Sequence, residues 1–257
     1  MSGEFRWPRG KRAAVSLSFD DARVSQADNG LAILGEYGIK ATFYVGVEAA
    51  ARRLAAWREA LRDGHEIGNH TLSHVCSGNF AFSRGPSLEE LTLDRIEADI
   101  EAADRRIEEL FGVRTQTFAY PCGQTYVGRG AETASYVPVV ARRFLAGRGY
   151  RNESHNAPRH GDLAQLCAFP LDTEPCERFV DLVERAEQDG GYIVFCGHEV
   201  GTQGFQNIEE RKLRTLCAYL AERRESLWTD TICSVAAHIA AELKREQRLD
   251  PEEGSRV

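Results

Sequence analysis

No Gly-x-Gly-x-x-Gly follows the first apolar segment of this 257-residue chain, and no Gly-Lys-Ser/Thr loop occurs in it. A dinucleotide-binding fold and a phosphate-cradling nucleotide fold are therefore unsupported. No apolar run reaches transmembrane length, and Met1 to Gly10 lacks the apolar core of a signal peptide. The expected setting is cytoplasmic, although such a start is also compatible with a leader already removed. Positive charge is not in excess: the formal net charge is −7, which offers no field to nucleic acid or to an anionic membrane. The seven cysteines (76, 122, 167, 176, 196, 217, 233) are odd in number, scattered, and include no Cys-x-x-Cys pair. Several lie in apolar segments such as Val194-Phe195-Cys196, so they read as reduced thiols, which also favours the cytosol.

What is present is an ordinary soluble composition, 42% hydrophobic and 28% charged, on a chain long enough to bury a full core. Strand, loop and helix recur about seven times without a composition break, which predicts one parallel α/β domain over residues 1–245. Residues 246–257 read as a charged, frayed tail. Strands are expected at 15–19, 40–45, before the histidine pair described below, at 115–120, 166–171 and 192–196. Helices are expected at 29–37, 49–62, about 133–146, 177–188, about 207–224 and about 231–244. The longest helix is expected to start at a capping box, Ser87 with Glu90, and to stop at Gly112, with its charged face in water. From Gly147 to Leu163 the chain reads as irregular, with His155 and His160 on the surface.

One stretch carries chemistry. His65-Glu-Ile-Gly-Asn-His-Thr-Leu-Ser-His74 sets His70 and His74 four residues apart after an apolar strand end. A helical turn there would bring both imidazoles to one metal, and a catalytic metal takes a third protein ligand. Ala13 to Phe19 reads as a buried strand that runs into Asp20-Asp21, and two adjacent carboxylates repel unless one gains a cation or a proton. A metal held by Asp21, His70 and His74 meets that need and leaves Asp20 beside its water as a general base. The structural alternatives are a helix-capping Asp and hydrogen-bonded loop histidines. Asp20, Asp21, His70, Tyr120-Pro121 and His198 all fall at strand carboxyl ends, where a barrel of this kind assembles its active site.

These segments resemble the polysaccharide deacetylase family, also called carbohydrate esterase family 4 or the NodB homology domain. Ser18-Phe-Asp-Asp21, Lys40-Ala-Thr-Phe-Tyr-Val45, the His65–His74 stretch, Phe118-Ala-Tyr-Pro-Cys-Gly123 and Phe195-Cys-Gly-His198 are similar to its successive motifs, over residues 10 to 240. The resemblance implies a distorted (β/α) barrel of about seven parallel strands and metal-dependent removal of acetyl groups from an N- or O-acetylated sugar or oligosaccharide. Asp21, His70 and His74 would bind a divalent metal, most often zinc, with cobalt, nickel, iron or manganese as alternatives. Asp20 would be the base and His198 the acid, with the Tyr120-Pro121-Cys122-Gly123 segment at the substrate and its oxyanion, donating through the Cys122 main chain. Asp172 is the candidate for tuning His198. The family's third motif commonly carries an arginine that steadies the base, but position 119 is Ala; Arg129 or Arg148 would have to replace it. Amide or cyclic imide hydrolysis on the same scaffold, and a non-catalytic glycan-binding homologue, are the competing readings.

Overall fold

The structure, a computed structural model, describes residues 5–172, 174–201 and 205–249. Eight parallel strands form one sheet: β1 (Ala13–Asp20), β2 (Ala41–Val45), β3 (Glu66–Asn69), β4 (Thr117–Ala119), β5 (Ala146–Arg148), β6 (Phe169–Pro170), β7 (Tyr192–Gly197) and β8 (Leu227–Thr229). Their spatial order is β5-β4-β3-β2-β1-β7-β6, with β8 paired to the start of β1. The sheet curls into a distorted barrel, and a bridge between Arg148 and Leu166 ties its β5 edge to the chain entering β6. Among the described residues eight α-helices accompany it: α1 (Leu31–Glu36), α2 (Val47–Ala51), α3 (Leu54–Arg62), α4 (Leu93–Phe111), α5 (Val137–Arg143), α6 (Cys176–Asp189), α7 (Glu210–Glu222) and α8 (Ile232–Leu249). No helix among the described residues is long and apolar enough to cross a membrane.

All of β1 is buried, because it has neighbours on both edges and packed layers on both faces. Its two-residue periodicity sorts the side chains. Ala13, Val15, Leu17 and Phe19 join Phe43, Ile193 and Phe195 in a core completed by Trp57, Phe179, Leu182, Leu213 and Leu220 of the surrounding helices. Each such Phe or Leu contributes roughly 2 kcal/mol by burial. Ala14 faces the barrel interior with Tyr44, Ala146, Tyr192, Val194 and Cys196, and α8 packs there through Ile232, Val235, Ala236 and Ile239. The same alternation carries Ser16, Ser18 and Asp20. The two serines are satisfied by donating to the carbonyls of Asp230 and Phe195, both at 2.7 Å. Asp20, at the strand end, is left facing the site.

Several elements depart from expectation for physical reasons. The capping box of Ser87 and Glu90 forms, but it opens a short 3₁₀ turn; α4 starts later, where Thr92 accepts from the Arg95 amide, and ends as expected at Gly112. The single helix expected over 49–62 is two, broken at Arg52 and Arg53. The helix expected over 133–146 shortens to α5, and the irregular stretch after it begins with the strand β5. Three residues containing glycine and arginine carry too little β-type character to read as a strand. Asn207–Glu209 is a strand paired with Glu199–Gly201, so α7 starts at Glu210. The expected tail is helical as far as Leu249, and its remainder lies outside the described residues.

The reduced-thiol reading is overturned at one pair. Cys76 and Cys122 are joined in a disulfide with their Cα atoms 6.3 Å apart, while Cys167, Cys176, Cys196, Cys217 and Cys233 are free. Partners 46 residues apart are adjacent only once the β3 and β4 loops meet at the barrel rim. The cysteine argument for a cytosolic setting loses its premise.

Candidate active site

Parallel pairing delivers the ends of β1, β3, β4, β5 and β7 to one rim, and the loops there are conformationally costly. Asp21, Ala22, Thr71, His74 and Cys122 all have positive φ, which for residues other than glycine is held only where surrounding contacts enforce it. The turn from His70 to His74 is not helical, contrary to expectation. It is shaped instead by hydrogen bonds: the Thr71 amide donates to Asn69 at 2.8 Å, the His74 amide to the Thr71 hydroxyl at 3.0 Å, and the Leu72 and Ser73 amides to Asp99 at 3.0 and 3.1 Å. Asn69 in turn donates to Asp104 at 2.7 Å. Two aspartates of α4, expected to face water, thus anchor the histidine turn.

The result is a compact donor set. Nitrogen atoms of His70 and His74 and a carboxylate oxygen of Asp21 all lie within 4.8 Å of one another. His70 Nδ1–H donates to the Ala119 carbonyl at 2.8 Å, which fixes its tautomer and turns Nε2 toward Asp21 Oδ1, 3.7 Å away. Burial pushes the His70 pKa down to about 4, which keeps the ring neutral and able to ligate. Arg23 donates to Asp21 Oδ2 at 2.9 and 3.1 Å, leaving Oδ1 for the histidines. Carboxylate and two imidazoles form a set suited to zinc and similar divalent ions.

Beside it, Asp20 is 4% exposed. Burial would raise its pKa, but the guanidinium of Arg148, fully buried and hydrogen-bonded to Asp20 Oδ1, outweighs burial with help from His70 and His198 and holds the carboxyl at about 2. Asp20 Oδ2 accepts from the Cys196 thiol at 3.3 Å. Of the two arginines considered for Asp20, the structure brings in Arg148, from β5 at the sheet's edge, across the curl of the barrel, whereas Arg129 lies exposed. The Arg148 guanidinium also lies 4.9 Å over the Tyr44 ring.

His198 lies across the rim. Its Nδ1–H donates to Asp172 Oδ2 at 2.6 Å and its amide to Asp172 Oδ1 at 3.1 Å. Burial lowers the imidazole pKa, but the Asp172 hydrogen bond and the Asp20 charge reverse this, and the net shift is upward. Gln26, which no sequence signal marked, donates to the Asp20 and His198 carbonyls at 2.5 and 2.8 Å and ties the two strand ends together.

The Tyr120–Gly123 segment contributes differently from expectation. Tyr120 is buried with its hydroxyl donating to the Ala164 carbonyl at 2.8 Å, so its side chain does not face the site. Pro121–Gly123 is a tight turn with Cys122 at φ 54°, its sulfur bonded to Cys76. Gly123 has φ +70°, and a Cβ there would lie 2.9 Å from the Tyr150 amide nitrogen, so only glycine fits. His155 and His160 are remote from the site; His155 pairs with Asp189 at 3.5 Å.

Comparison with known proteins agrees with this architecture. Residues 8–136 match the family model described as polysaccharide deacetylase. A "Gellan lyase" from Bacillus sp is 32% identical over 143 residues, 56% of this chain and 5% of that protein. A "Peptidoglycan-N-acetylglucosamine deacetylase" from Bacillus cereus is 32% identical over 66 residues, 25% of this chain and 31% of that one. The chain thus spans less than a third of either relative's length. A Mycobacterium smegmatis crystal structure with a provisional polysaccharide deacetylase assignment shares the fold, with TM-score 0.66 at 18% identity over 94% of both chains. Half the chain fits the family model, the first-strand acids and the paired histidines meet at the rim of the same curled barrel, and the chain belongs to the polysaccharide deacetylase family.

Proposed function

We propose that this protein is a metal-dependent hydrolase that removes acetyl groups from an N- or O-acetylated carbohydrate, with Asp20 as general base and His198 as general acid. The observation that carries this reading is the opposed pairing of two groups on one rim, Asp20 with the Arg148 guanidinium and His198 with the Asp172 carboxylate. Against the burial of both groups, Arg148 pulls the Asp20 pKa down, and the hydrogen bond from His198 to Asp172 and the Asp20 charge push the His198 pKa up. Titratable groups pushed apart in this way are suited to acid and base roles in one reaction.

Asp21, His70 and His74 would hold the metal. A divalent cation there would supply Lewis acidity toward water and toward the acetyl carbonyl. Asp20 takes the proton from the attacking water, and its hydrogen bonds to Arg148 and Cys196 fix the carboxylate's orientation. The Cys122 main-chain N–H donates to the carbonyl oxygen as negative charge develops on it; a pre-aligned donor of this sort is worth about 3 kcal/mol. His198 Nε2–H then protonates the departing sugar amine or alcohol, while Asp172 holds the opposite ring nitrogen. Tyr150, whose ring centroid lies 5.6 Å from that of His198, walls the same side.

The test is acetate release by purified protein from acetylated amino sugars, chito-oligosaccharides and acetylated xylan, with and without chelator. Release that chelator abolishes and zinc or cobalt restores is the expected result. Turnover of amides or cyclic imides with no acetate from any sugar would overturn the proposal.

A further inference from the structure

We infer that the Cys76–Cys122 disulfide is a positioning element of the reaction: one bridge holds His74 and the Cys122 main-chain donor in a single geometry, so turnover requires the bridge and falls when it is reduced. The inference rests on the deacetylase reading above and goes beyond it, because it makes the thiol–disulfide state of the protein a control on that site.

The two ends of the bridge lie in two loops that the reaction uses. Cys76 follows His74 by two residues, and Cys122 carries the N–H proposed above for the developing oxyanion. On the first loop, His74 Nε2 faces Asp21 Oδ1 at 3.5 Å, while its Nδ1 lies 3.9 Å from the Cys76 sulfur. A ligating histidine is oriented by the group on its other ring nitrogen, and here a disulfide sulfur holds that place. On the second loop, the Gly123 and Gln124 amides are spent on the Tyr120 and Pro121 carbonyls at 2.8 and 3.1 Å, which leaves the Cys122 amide to the substrate.

Neither loop is relaxed. His74 and Cys122 have φ of 49° and 54°, left-handed values that a residue other than glycine keeps only under restraint. Cys76 is itself anchored: its amide donates to Ser83 Oγ at 3.0 Å, and its carbonyl accepts from that hydroxyl at 2.7 Å and from the Leu88 amide at 3.1 Å. The bridge passes this anchorage to the Cys122 turn. The Ser77 amide, donating to Gln124 Oε1 at 2.8 Å, also joins the loops, but a hydrogen bond exchanges with water where a covalent bridge does not. Cys76 is buried and Cys122 half-buried, so a reductant meets the bridge from the Cys122 side. With a phosphine the S–S bond breaks and two S–H bonds form; the phosphine becomes its oxide by taking oxygen from water, which also supplies both protons. Oxidised glutathione reverses the change, the two protein thiols giving two electrons and two protons to its disulfide.

The test compares oxidised wild type, wild type reduced by a water-soluble trialkylphosphine and then desalted, and the variant Cys76→Ser/Cys122→Ser. The metal-loaded forms are assayed for kcat and KM of acetate release from an acetylated chito-oligosaccharide, and the metal-free forms are titrated with cobalt. All measurements are made well below the unfolding midpoint, with circular dichroism recording the fold. The reduced protein and the variant should stay folded, lose roughly 10- to 100-fold in kcat with KM changed by under about two-fold, and bind cobalt about ten-fold more weakly. Oxidised glutathione should restore the reduced wild type, and neither it nor the phosphine should affect the variant. A bridge that served stability alone would move none of these readings in the folded protein. Weaker cobalt binding with no acetate release from any form would sustain the hold on His74 and sink the deacetylase reading. Full kcat with unchanged cobalt affinity after reduction, a rise in KM alone, or loss of the whole fold on reduction overturns the inference.

Discussion

Replacing Arg148 with Met tests the link between this fold and the base proposed for it, Asp20. Arg148 is fully buried, its partner Asp20 is 4% exposed, and they are in direct contact, so the substitution keeps the volume and strands a buried carboxylate. Unit charges about 4 Å apart at an effective dielectric near 20 interact by about 4 kcal/mol, and breaking one side of a buried pair costs about 3–5 kcal/mol. Asp20 then escapes by taking a proton, because burial, the largest influence on it, is no longer opposed by Arg148. With Asp20 as the proposed base, its protonation forfeits roughly 10²- to 10⁴-fold in rate. Arg148→Met should therefore lose about 3–5 kcal/mol in urea unfolding and at least ~100-fold in acetate release. The double variant Asp20→Asn/Arg148→Met should regain stability but not activity, since no buried charge remains. In wild type the depressed Asp20 pKa, about 2 against an ordinary 3.8, contributes stability fully present above about pH 4 and lost as pH falls through about 2, on the order of 2 kcal/mol. Arg148→Met should lack that acid limb. A loss under about 1 kcal/mol in Arg148→Met, or strict additivity in the double variant, would refute the reasoning.

Two further predictions follow from the rim. Asp172→Asn removes the hydrogen bond that raises His198, so burial should lower its pKa and move the alkaline limb of kcat to lower pH, with kcat down by roughly 10- to 100-fold; an unmoved limb would dissociate His198 from the acid role. The sign for stability is the reverse of that for Asp20. The pair stabilises fully below about pH 6.5, the ordinary histidine value, and the contribution is lost as pH rises through the raised one. Reducing the Cys76–Cys122 bond, or the variant Cys76→Ser/Cys122→Ser, releases a loop of 46 residues and should cost about 4 kcal/mol, a Tm fall on the order of 10 °C. Calorimetry with and without reductant checks this, and an unchanged Tm would mean the bond does not constrain the unfolded chain.

Local chemistry was enough to read a parallel α/β domain and the grouping of Asp21 with His70 and His74 from the sequence, while the barrel followed from the family resemblance. An apolar strand ending in Asp20-Asp21 and an His-x-x-x-His turn after another strand both carry their meaning within a few residues, and parallel β/α order sends all strand ends to one rim. What tertiary structure alone decided are contacts between segments far apart in the chain. The arginine for Asp20 comes from a strand 128 residues away that is too short to show a period, although it was one of two arginines the sequence offered. Cys76 meets Cys122 only because β3 and β4 are neighbours, and Tyr120 turns to the core because the Ala164 carbonyl lies there to accept its hydroxyl. Gln26 is an ordinary polar residue in sequence and becomes a clamp because the ends of β1 and β7 lie side by side. A sequence fixes which groups can react and where along the chain they lie; only packing settles which distant group becomes each one's neighbour and so sets its charge.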